Sequence, residues 1–265
     1  IINKFIPMKK NITLPILGIL VFLGITFIFH VNNKDKENTS VPVITAGISK
    51  EVLSKIFSNE TIIPQKEPYY YKINSLDYFA KVIRNSNEDL FVIVKNGTQY
   101  SSEYTIYNNI KEPRELIRVE STPIFNADEA FNKNFFQKDI TGDGISEIFI
   151  LFQSTSYGLN GYTVLRHTNN KLETITIGGD PLINFDEIEQ KNGQVSMTSH
   201  SNGFKGKDFY ELNGNNLVYK RSIGFFSVPT VYSEEYEVRV SDAAGKRVVD
   251  RKKGSIYTDN FAPYE

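Results

Sequence analysis

Short β-prone runs, separated by clusters of Asn, Gly and Ser, constrain this chain more than any other feature of its sequence. Of the 265 residues, 19 are Phe and 15 are Tyr, and aromatic and β-branched residues are enriched in strands because they pack well on a pleated surface. Turn residues at the ends of the runs favour short strands joined by tight connections. The predicted strands are 69–73, 78–83, 90–94, 104–107, 147–152, 162–167, 171–177, 194–198, 208–212, 217–222, 235–240 and 246–250.

Two short helices are predicted beside these strands. Residues 47–59 carry apolar side chains at near-helical spacing, and Ser49 is suited to cap the helix because its hydroxyl can accept a hydrogen bond from a free backbone N–H. A second helix is predicted over 126–136, with Asn126 or Asp128 as its cap.

A continuous apolar run at residues 12–31 reads ITLPILGILVFLGITFIFHV and contains no formal charge. About twenty such residues cross a hydrocarbon core of roughly 30 Å as a helix. Lys9 and Lys10 precede the run, so the positive-inside rule places the N-terminus in the cytoplasm. A cleaved signal peptide is the alternative, although the run ends without the small residues that are typical of a cleavage site.

The apolar run divides the chain into four predicted parts. These are a short cytoplasmic N-terminus at 1–11, a transmembrane signal-anchor helix at 12–31, a polar tether at 32–46 and an extracytoplasmic β-rich domain at 47–265. The expected location is the cell membrane, with a single pass through the lipid bilayer. Because the part expected in the cytoplasm is so short, the function is expected outside the membrane.

Cysteine and charge content exclude several classes of function. The chain has no cysteine, which excludes disulfides, thiolate metal sites and cysteine nucleophiles. Its formal net charge is −1, with 30 Lys and Arg against 31 Asp and Glu, and the basic residues are scattered. Nucleic-acid binding needs clustered positive charge, so no nucleic-acid partner is expected.

Self-comparison of the sequence indicates a repeated unit. The stretch EDLFVIVKNGTQYSSEYTI (88–106) aligns without gaps on SEIFILFQSTSYGLNGYTV (146–164), and this alignment pairs Phe91 with Phe149. A looser third copy runs over 194–212. The unit would be a strand, a loop, a strand, an Asn-rich turn and a further strand. The alternative is that any meander of short strands produces such sequence similarity without a true repeat.

The stretch DITGDGISE, residues 139–147, places oxygen-bearing side chains at alternate positions. Asp139, Thr141 and Asp143 can turn their oxygens towards one point, and glycine permits the tight bend. Calcium takes about six to eight oxygen ligands, and the carbonyl group of Ile145 is a further candidate. The loop is not an EF-hand, because a strand pattern rather than a helix follows it.

A loop of this kind followed directly by a strand resembles FG-GAP and VCBS repeats, the blade units of integrin-type β-propellers and of many bacterial surface proteins. The resemblance implies Asp139, Thr141, Asp143 and Glu147 as side-chain ligands of Ca²⁺, and Ile145 as a carbonyl ligand. Thr141 and Glu147 depart from the family pattern, in which Asn or Asp and then Asp are usual. The alternative is a metal-free Asx turn, in which Asp139 and Asp143 accept backbone N–H groups.

A search for catalytic motifs identifies no catalytic residue. No G-x-S-x-G elbow, H-E-x-x-H motif or phosphate-binding loop occurs in the sequence. The three histidines are His30, His167 and His200, and their spacing does not indicate a catalytic triad. Paired carboxylates of the glycosidase type stay an alternative, because the spacing of carboxyl groups in space cannot be read from a sequence. Asp186, Glu187 and Glu189 are candidates, but a solvated surface explains them more simply.

Together these patterns predict a mainly β protein: a transmembrane helix followed by an extracytoplasmic antiparallel β domain, either a partial β-propeller or a β-meander or sandwich, with one or two short helices. The expected function is a non-enzymatic binding or interaction module, stabilised by calcium, for an extracytoplasmic protein or glycan ligand. The loops 96–103, 154–161 and 199–207 are predicted to lie on one side and to present Tyr100 and Tyr157. The alternatives are an exported hydrolase with paired carboxylates and a structural subunit of an envelope complex.

Overall fold

The computed structural model describes residues 48–65, 69–85, 88–97, 100–154, 160–201, 203–228 and 235–265. The predicted cytoplasmic segment, transmembrane helix and tether lie outside these residues. The described part is mainly antiparallel β-structure with little helix, as the sequence pattern predicts. No helix in the described ranges is long and apolar enough to span a membrane.

The strands form three sheets, named A, B and C here. Sheet A contains β1 (Ile62–Pro64), β2 (Tyr70–Ile73), β3 (Leu76–Asn85), β4 (Glu88–Lys95), β5 (Ser102–Asn108) and β6 (Arg114–Ser121) in chain order. Sheet B contains β7 (Phe135–Lys138), β8 (Glu147–Ser154), β9 (Asn160–Thr168), β10 (Lys171–Thr174) and β12 (Leu182–Phe185). Sheet C contains β13 (Glu187–Lys191), β14 (Gln194–Ser201), β15 (Phe204–Asn213), β16 (Asn216–Ser227), β17 (Glu235–Asp242) and β18 (Gly245–Lys253), with the short β11 (Thr176–Ile177) parallel to β16.

Both predicted helices occur, and both are shorter than predicted. Helix α1 spans Lys50–Ile56, and the hydroxyl of Ser49 accepts a hydrogen bond from the backbone N–H of Val52 at 3.4 Å. The second segment forms only a π-helical turn, Glu129–Lys133, where the side chain of Asn126 accepts from the N–H of Glu129. The helix prediction is wrong beyond this turn, because the next apolar residues enter β7 and pair with β8.

Each sheet contains one four-stranded antiparallel meander: β3 to β6, β7 to β10 and β13 to β16. The first hairpins of the three meanders close at the pairs Asn85–Glu88, Lys138–Glu147 and Lys191–Gln194. The third hairpins close at Asn108–Arg114, Thr168–Lys171 and Asn213–Asn216. This order matches the unit predicted from the sequence, with one additional strand at its start.

The three sheets pack face to face. Successive side chains of a strand point to opposite faces of its sheet, and in the central strands the side chains on both faces are apolar. In β8, Ile148 and Ile150 belong to the core shared with sheet A, whereas Phe149 and Leu151 belong to the core shared with sheet C. All but Leu151 are fully buried, and each such side chain contributes roughly 1.5–3 kcal/mol by leaving water. Helix α1 covers the outer face of sheet A, and a C-terminal segment containing Phe261 covers part of sheet C.

The pairing registers correct one detail of the sequence alignment. Phe91 and Phe149 point to opposite sides of their sheets: Phe91 packs on the side of helix α1, and Phe149 on the side of sheet C. When the first hairpins are superposed by their closing pairs, Leu90 is the equivalent of Phe149 and Phe91 is the equivalent of Ile150. In this strand the gapless alignment is therefore wrong, because it pairs residues of opposite faces.

The two ends of the sheets differ in character. At one end, named the turn end here, connections join β3 to β4, β7 to β8 and β13 to β14. Hydrogen bonds also link neighbouring sheets at this end. Gln137 donates to the carbonyl oxygen of Arg84 at 3.4 Å, and Arg166 donates to the carbonyl oxygen of Gly214 at 3.3 Å. The connections β4–β5, β8–β9 and β14–β15 lie at the opposite end, named the loop end. Sheets A and B are also joined towards the loop end, where the N–H of Thr122, directly after β6, donates to the carbonyl oxygen of Leu151 in β8 at 3.2 Å.

Candidate functional site

The loop between β7 and β8 is organised around Asp139. One oxygen of this carboxylate accepts from the backbone N–H groups of Thr141 (3.1 Å) and Gly142 (2.6 Å), and the other accepts from that of Gly144 (2.9 Å). Gly142 and Gly144 have φ angles of 76° and 81°, a region that side chains with a Cβ rarely adopt. Asp139 therefore closes the loop as a turn, which is the geometry of the metal-free alternative.

Asp143 connects the loop to strand β9. One carboxylate oxygen accepts from the backbone N–H of Ile145 at 2.9 Å, and the other accepts from Nη2 of Arg166 at 2.9 Å. Burial acts to raise the pKa of Asp143, but the hydrogen bonds from Arg166, Ile145 and Thr141 outweigh it and hold this pKa below its usual value. Asp143 is therefore ionised and paired at neutral pH.

Glu147 is the most buried acidic group of the loop, with an exposed fraction of 0%. Its Oε2 accepts from the backbone N–H of Ile140 at 2.8 Å. No donor among the described residues forms a hydrogen bond with its Oε1, which lies 3.9 Å from Nε of Arg166. Burial raises the pKa of Glu147 to about 7, the hydrogen bond from Ile140 opposes this rise, and the charges of Asp143 and Asp139 add to it.

The five predicted calcium ligands thus lie in one loop, but in this arrangement the carboxylate oxygens of Asp139 and Asp143 accept hydrogen bonds from N–H groups. Asp139 faces loop amides, and the Oγ1 of Thr141 lies 3.4 Å from Asp139. Ile145 contributes its N–H to Asp143. Within the described ranges, no group of three or more His, Asp or Glu side chains is placed to hold a metal ion. Among the described residues of the loop, the oxygen of Glu147 without a hydrogen bond is the feature that fits a cation, and the calcium site stays a prediction.

Arg166 is the residue that sequence reasoning missed. It lies on β9, on the same face of sheet B as Val164, and reaches back to the loop. Strand alternation could have indicated this face, since Val164 and Arg166 are two positions apart. The contact itself depends on the pairing of β8 with β9, which no local pattern specifies.

The loop end carries exposed aromatic side chains from all three sheets or from segments attached to them. The exposed fractions are 78% for Tyr100, 66% for Phe125, 54% for Tyr257 and 40% for Phe152. Phe125 follows Ile124, whose N–H donates to the hydroxyl of Ser102 at the start of β5, and the hydroxyl of Tyr257 donates to the carbonyl oxygen of Ser201 at the end of β14. Tyr157 lies outside the described residues.

A small cavity of about 170 Å³ opens on sheet C beside Phe204 and Phe226. The two rings lie 4.9 Å apart, and the guanidinium of Arg239 lies 4.5 Å above the ring of Phe226. Asp208 lines the same cavity, and burial raises the pKa of its carboxyl group. Aromatic, cationic and carboxylate groups thus line this cavity together.

Of the carboxylates considered for a hydrolase, Asp186 and Glu189 have partners in the structure. Asp186 accepts from the backbone N–H of His200 at 2.7 Å and lies 2.8 Å from its Nδ1. Glu189 lies 3.4 Å from Nζ of Lys207, which also donates to Glu265 at 2.6 Å, beside a groove of about 500 Å³. The ammonium group of Lys207 lies between the carboxylates of Glu189 and Glu265. A paired-carboxylate mechanism would need the scissile bond at this position.

No protein-family model matches the chain, and no curated protein matches it. A solved structure described as that of a Xanthomonas Type IV Secretion System related protein is similar to this chain, with 14% identical residues and a TM-score of 0.43. The similarity covers 72% of this chain and 98% of that chain.

Proposed function

We propose that this chain is a membrane-anchored, extracytoplasmic interaction module whose three meanders are blade-like units of the FG-GAP and VCBS type. The loop 139–147 joins the first two strands of the second meander, directly before a buried strand. That position supports the resemblance on which the proposal draws. The anchor and the extracytoplasmic location are predictions from residues 12–31.

The exposed aromatic side chains at the loop end are the observation that carries the proposal. Tyr100, Phe125 and Tyr257 together present large apolar surfaces that are not used in any of the four cores. Exposed aromatic residues at the same end of a rigid scaffold are typical of binding surfaces, because they supply much contact area at a small cost in conformational entropy. The stacked sheets hold the positions from which these side chains project.

In this proposal, the loop 139–147 stabilises the domain and does not contact the ligand. It lies at the turn end, where Asp143 of the loop binds Arg166 of β9, and Arg166 in turn contacts the turn of sheet C at Gly214. A ligand at the loop end would therefore be recognised independently of this loop. The proposed partner is an extracytoplasmic protein or a glycan.

The test compares variants of exposed apolar and aromatic residues at the two ends of the sheets in the full chain, purified in detergent. Tyr100→Ala, Phe125→Ala and Tyr257→Ala are combined at the loop end, and Ile110→Ala with Tyr219→Ala serves as the control at the turn end. Binding is measured on purified envelope fractions, with and without protease treatment, and on immobilised glycans. We expect the loop-end variant to lose at least about tenfold in affinity and the control to keep it. Equal losses, or no loss from the loop-end variant, would refute the proposal.

A further inference from the structure

The loop 139–147 contains three carboxylates, those of Asp139, Asp143 and Glu147, within one tight turn. Such a concentration of negative charge needs compensation, and a buried carboxylate needs it most because water is excluded. Backbone N–H groups supply it for Asp139. For the other two carboxylates, Arg166 is the cation in contact within the described part of the chain.

The guanidinium of Arg166 lies between the two carboxylates that the backbone does not fully satisfy. Its Nη2 lies 2.9 Å from Oδ2 of Asp143, and its Nε lies 3.9 Å from Oε1 of Glu147, the buried atom without a hydrogen bond. The neighbouring base, Lys138, is directed away, since its Nζ donates to the carbonyl oxygen of Ile188 at 2.7 Å. Arg166 thus faces two of the three carboxylates that the resemblance assigns to calcium.

We propose that the guanidinium of Arg166 is the resident cation of this loop, so that the loop closes without metal and a divalent cation can enter only by displacing Arg166. The contact with Glu147 is too long for a hydrogen bond, whereas a small ion could approach both carboxylates directly. Displacement has a cost, because Nη1 of Arg166 also donates to the carbonyl oxygen of Gly214 in sheet C. Arg166 therefore opposes calcium binding and at the same time holds sheet C to sheet B.

The charge balance of this loop differs from that of a calcium-filled loop. In a loop filled by calcium, the ion supplies two positive charges and the carboxylates converge on it. Here a single positive charge on a neighbouring strand is shared by two carboxylates, and one carboxylate oxygen stays unsatisfied. The loop is thus expected to discriminate against calcium through one side chain outside its own sequence.

The deciding variants are Arg166→Gln, which removes the positive charge, and Arg166→Lys, which keeps the charge but replaces the planar guanidinium with a compact ammonium group. The full chain in detergent is melted in EDTA, in calcium and in magnesium, and calcium binding is measured by equilibrium dialysis. We expect the wild-type melting temperature to be the same in EDTA and in calcium. Arg166→Gln should melt lower in EDTA, recover in calcium and bind calcium at least about tenfold more tightly than the wild type. Asp143→Asn added to Arg166→Gln should remove the recovery.

Three results would overturn the proposal. One is a wild-type chain that binds calcium as tightly as Arg166→Gln does. Another is an Arg166→Gln chain that binds no calcium or stays unfolded in calcium as well as in EDTA, because the ion should then replace the lost charge. The third is an Arg166→Lys chain that depends on calcium for folding as strongly as Arg166→Gln does. None of these results bears on binding at the loop end, so the proposed function is tested separately.

Discussion

Tyr104 in β5 donates a hydrogen bond from its hydroxyl group to the carbonyl oxygen of Ala130, with an oxygen–oxygen distance of 2.5 Å. Both residues are fully buried, and the bond ties sheet A to the π-helical turn that leads into sheet B. The ring of Tyr104 also stacks on Phe135 at 6.0 Å. One side chain therefore connects two units of the stack through both a polar and an apolar contact.

Tyr104→Phe should reduce the free energy of unfolding by about 1–2 kcal/mol, because the buried carbonyl group of Ala130 would lose its hydrogen-bond donor while the ring stays in place. Chemical denaturation measures this loss. Tyr107→Phe is the matched control, since the hydroxyl of Tyr107 makes no hydrogen bond within the described residues. Equal stabilities of Tyr104→Phe and Tyr107→Phe would contradict the role given to this bond.

Phe149→Ala should cost about 3–5 kcal/mol, because Phe149 is fully buried between sheets B and C and stacks on Phe136 at 4.4 Å. Phe125→Ala should change stability by less than about 0.5 kcal/mol, because two thirds of this side chain is exposed. Urea denaturation compares the two. A large loss from Phe125→Ala would mean that its ring is part of a core and would remove it from the proposed binding surface.

Asp208→Asn should stabilise the protein at neutral pH. Burial raises the pKa of Asp208 in the folded protein above the value of about 3.9 in the unfolded chain, so the ionised form favours unfolding. The contribution of Asp208 to stability is fully present below its unfolded pKa and is lost as the pH rises through its folded pKa. The advantage of Asp208→Asn should therefore disappear in acid. It is measured as the difference in melting temperature between the variant and the wild type across pH.

Asp242→Asn should show the opposite dependence of stability on pH in the same experiment. The hydrogen bond from Arg247 lowers the pKa of Asp242, with a further contribution from the backbone N–H of Ala244. This carboxylate adds stability above its unfolded pKa and loses it as the pH falls through its folded pKa. Asp242→Asn should therefore be less stable than the wild type at neutral pH and equal to it in acid. The same pH trend for both variants would contradict both assignments.

Gly144→Ala should cost about 1–2 kcal/mol from backbone strain alone, because its φ of 81° is left-handed and the space around it is open. Gly142→Ala has the same strain, and its new methyl group would lie 2.7 Å from the side-chain amide of Gln190. Gln190 can move because only the end of its side chain is involved, so the two losses should be similar. Thermal unfolding measures both. A Gly144→Ala variant as stable as the wild type would show that the loop relaxes to another turn.

Much of the secondary structure could be predicted because its causes are local. Ser49 caps α1 through a neighbouring backbone N–H, and Gly142 and Gly144 permit a turn that other residues resist. The edge strands β6, β7 and β13 were not predicted. Their residues are less regularly apolar, and they form strands because a partner strand offers hydrogen bonds.

The candidate site could be predicted only in part. The residues from Asp139 to Glu147 were identified because oxygen-bearing residues and glycines alternate in one short stretch. How those oxygens are used was decided by contacts with backbone N–H groups and with Arg166, which is 23 residues from Asp143 in the chain. Such a contact depends on the register of β8 with β9.

The sequence by itself determined where strands and turns occur, because alternation of apolar residues and the backbone freedom of glycine act over a few positions. Only the tertiary structure decided which face of each strand meets which sheet. Leu90 and Val92, not Phe91, lie on the face of sheet A that corresponds to the face of Phe149 in sheet B, since a shift of one residue in register exchanges the faces of a strand. The same long-range packing brought Arg166 to Asp143 and Glu147, and so set the charge that any ion entering the loop must displace.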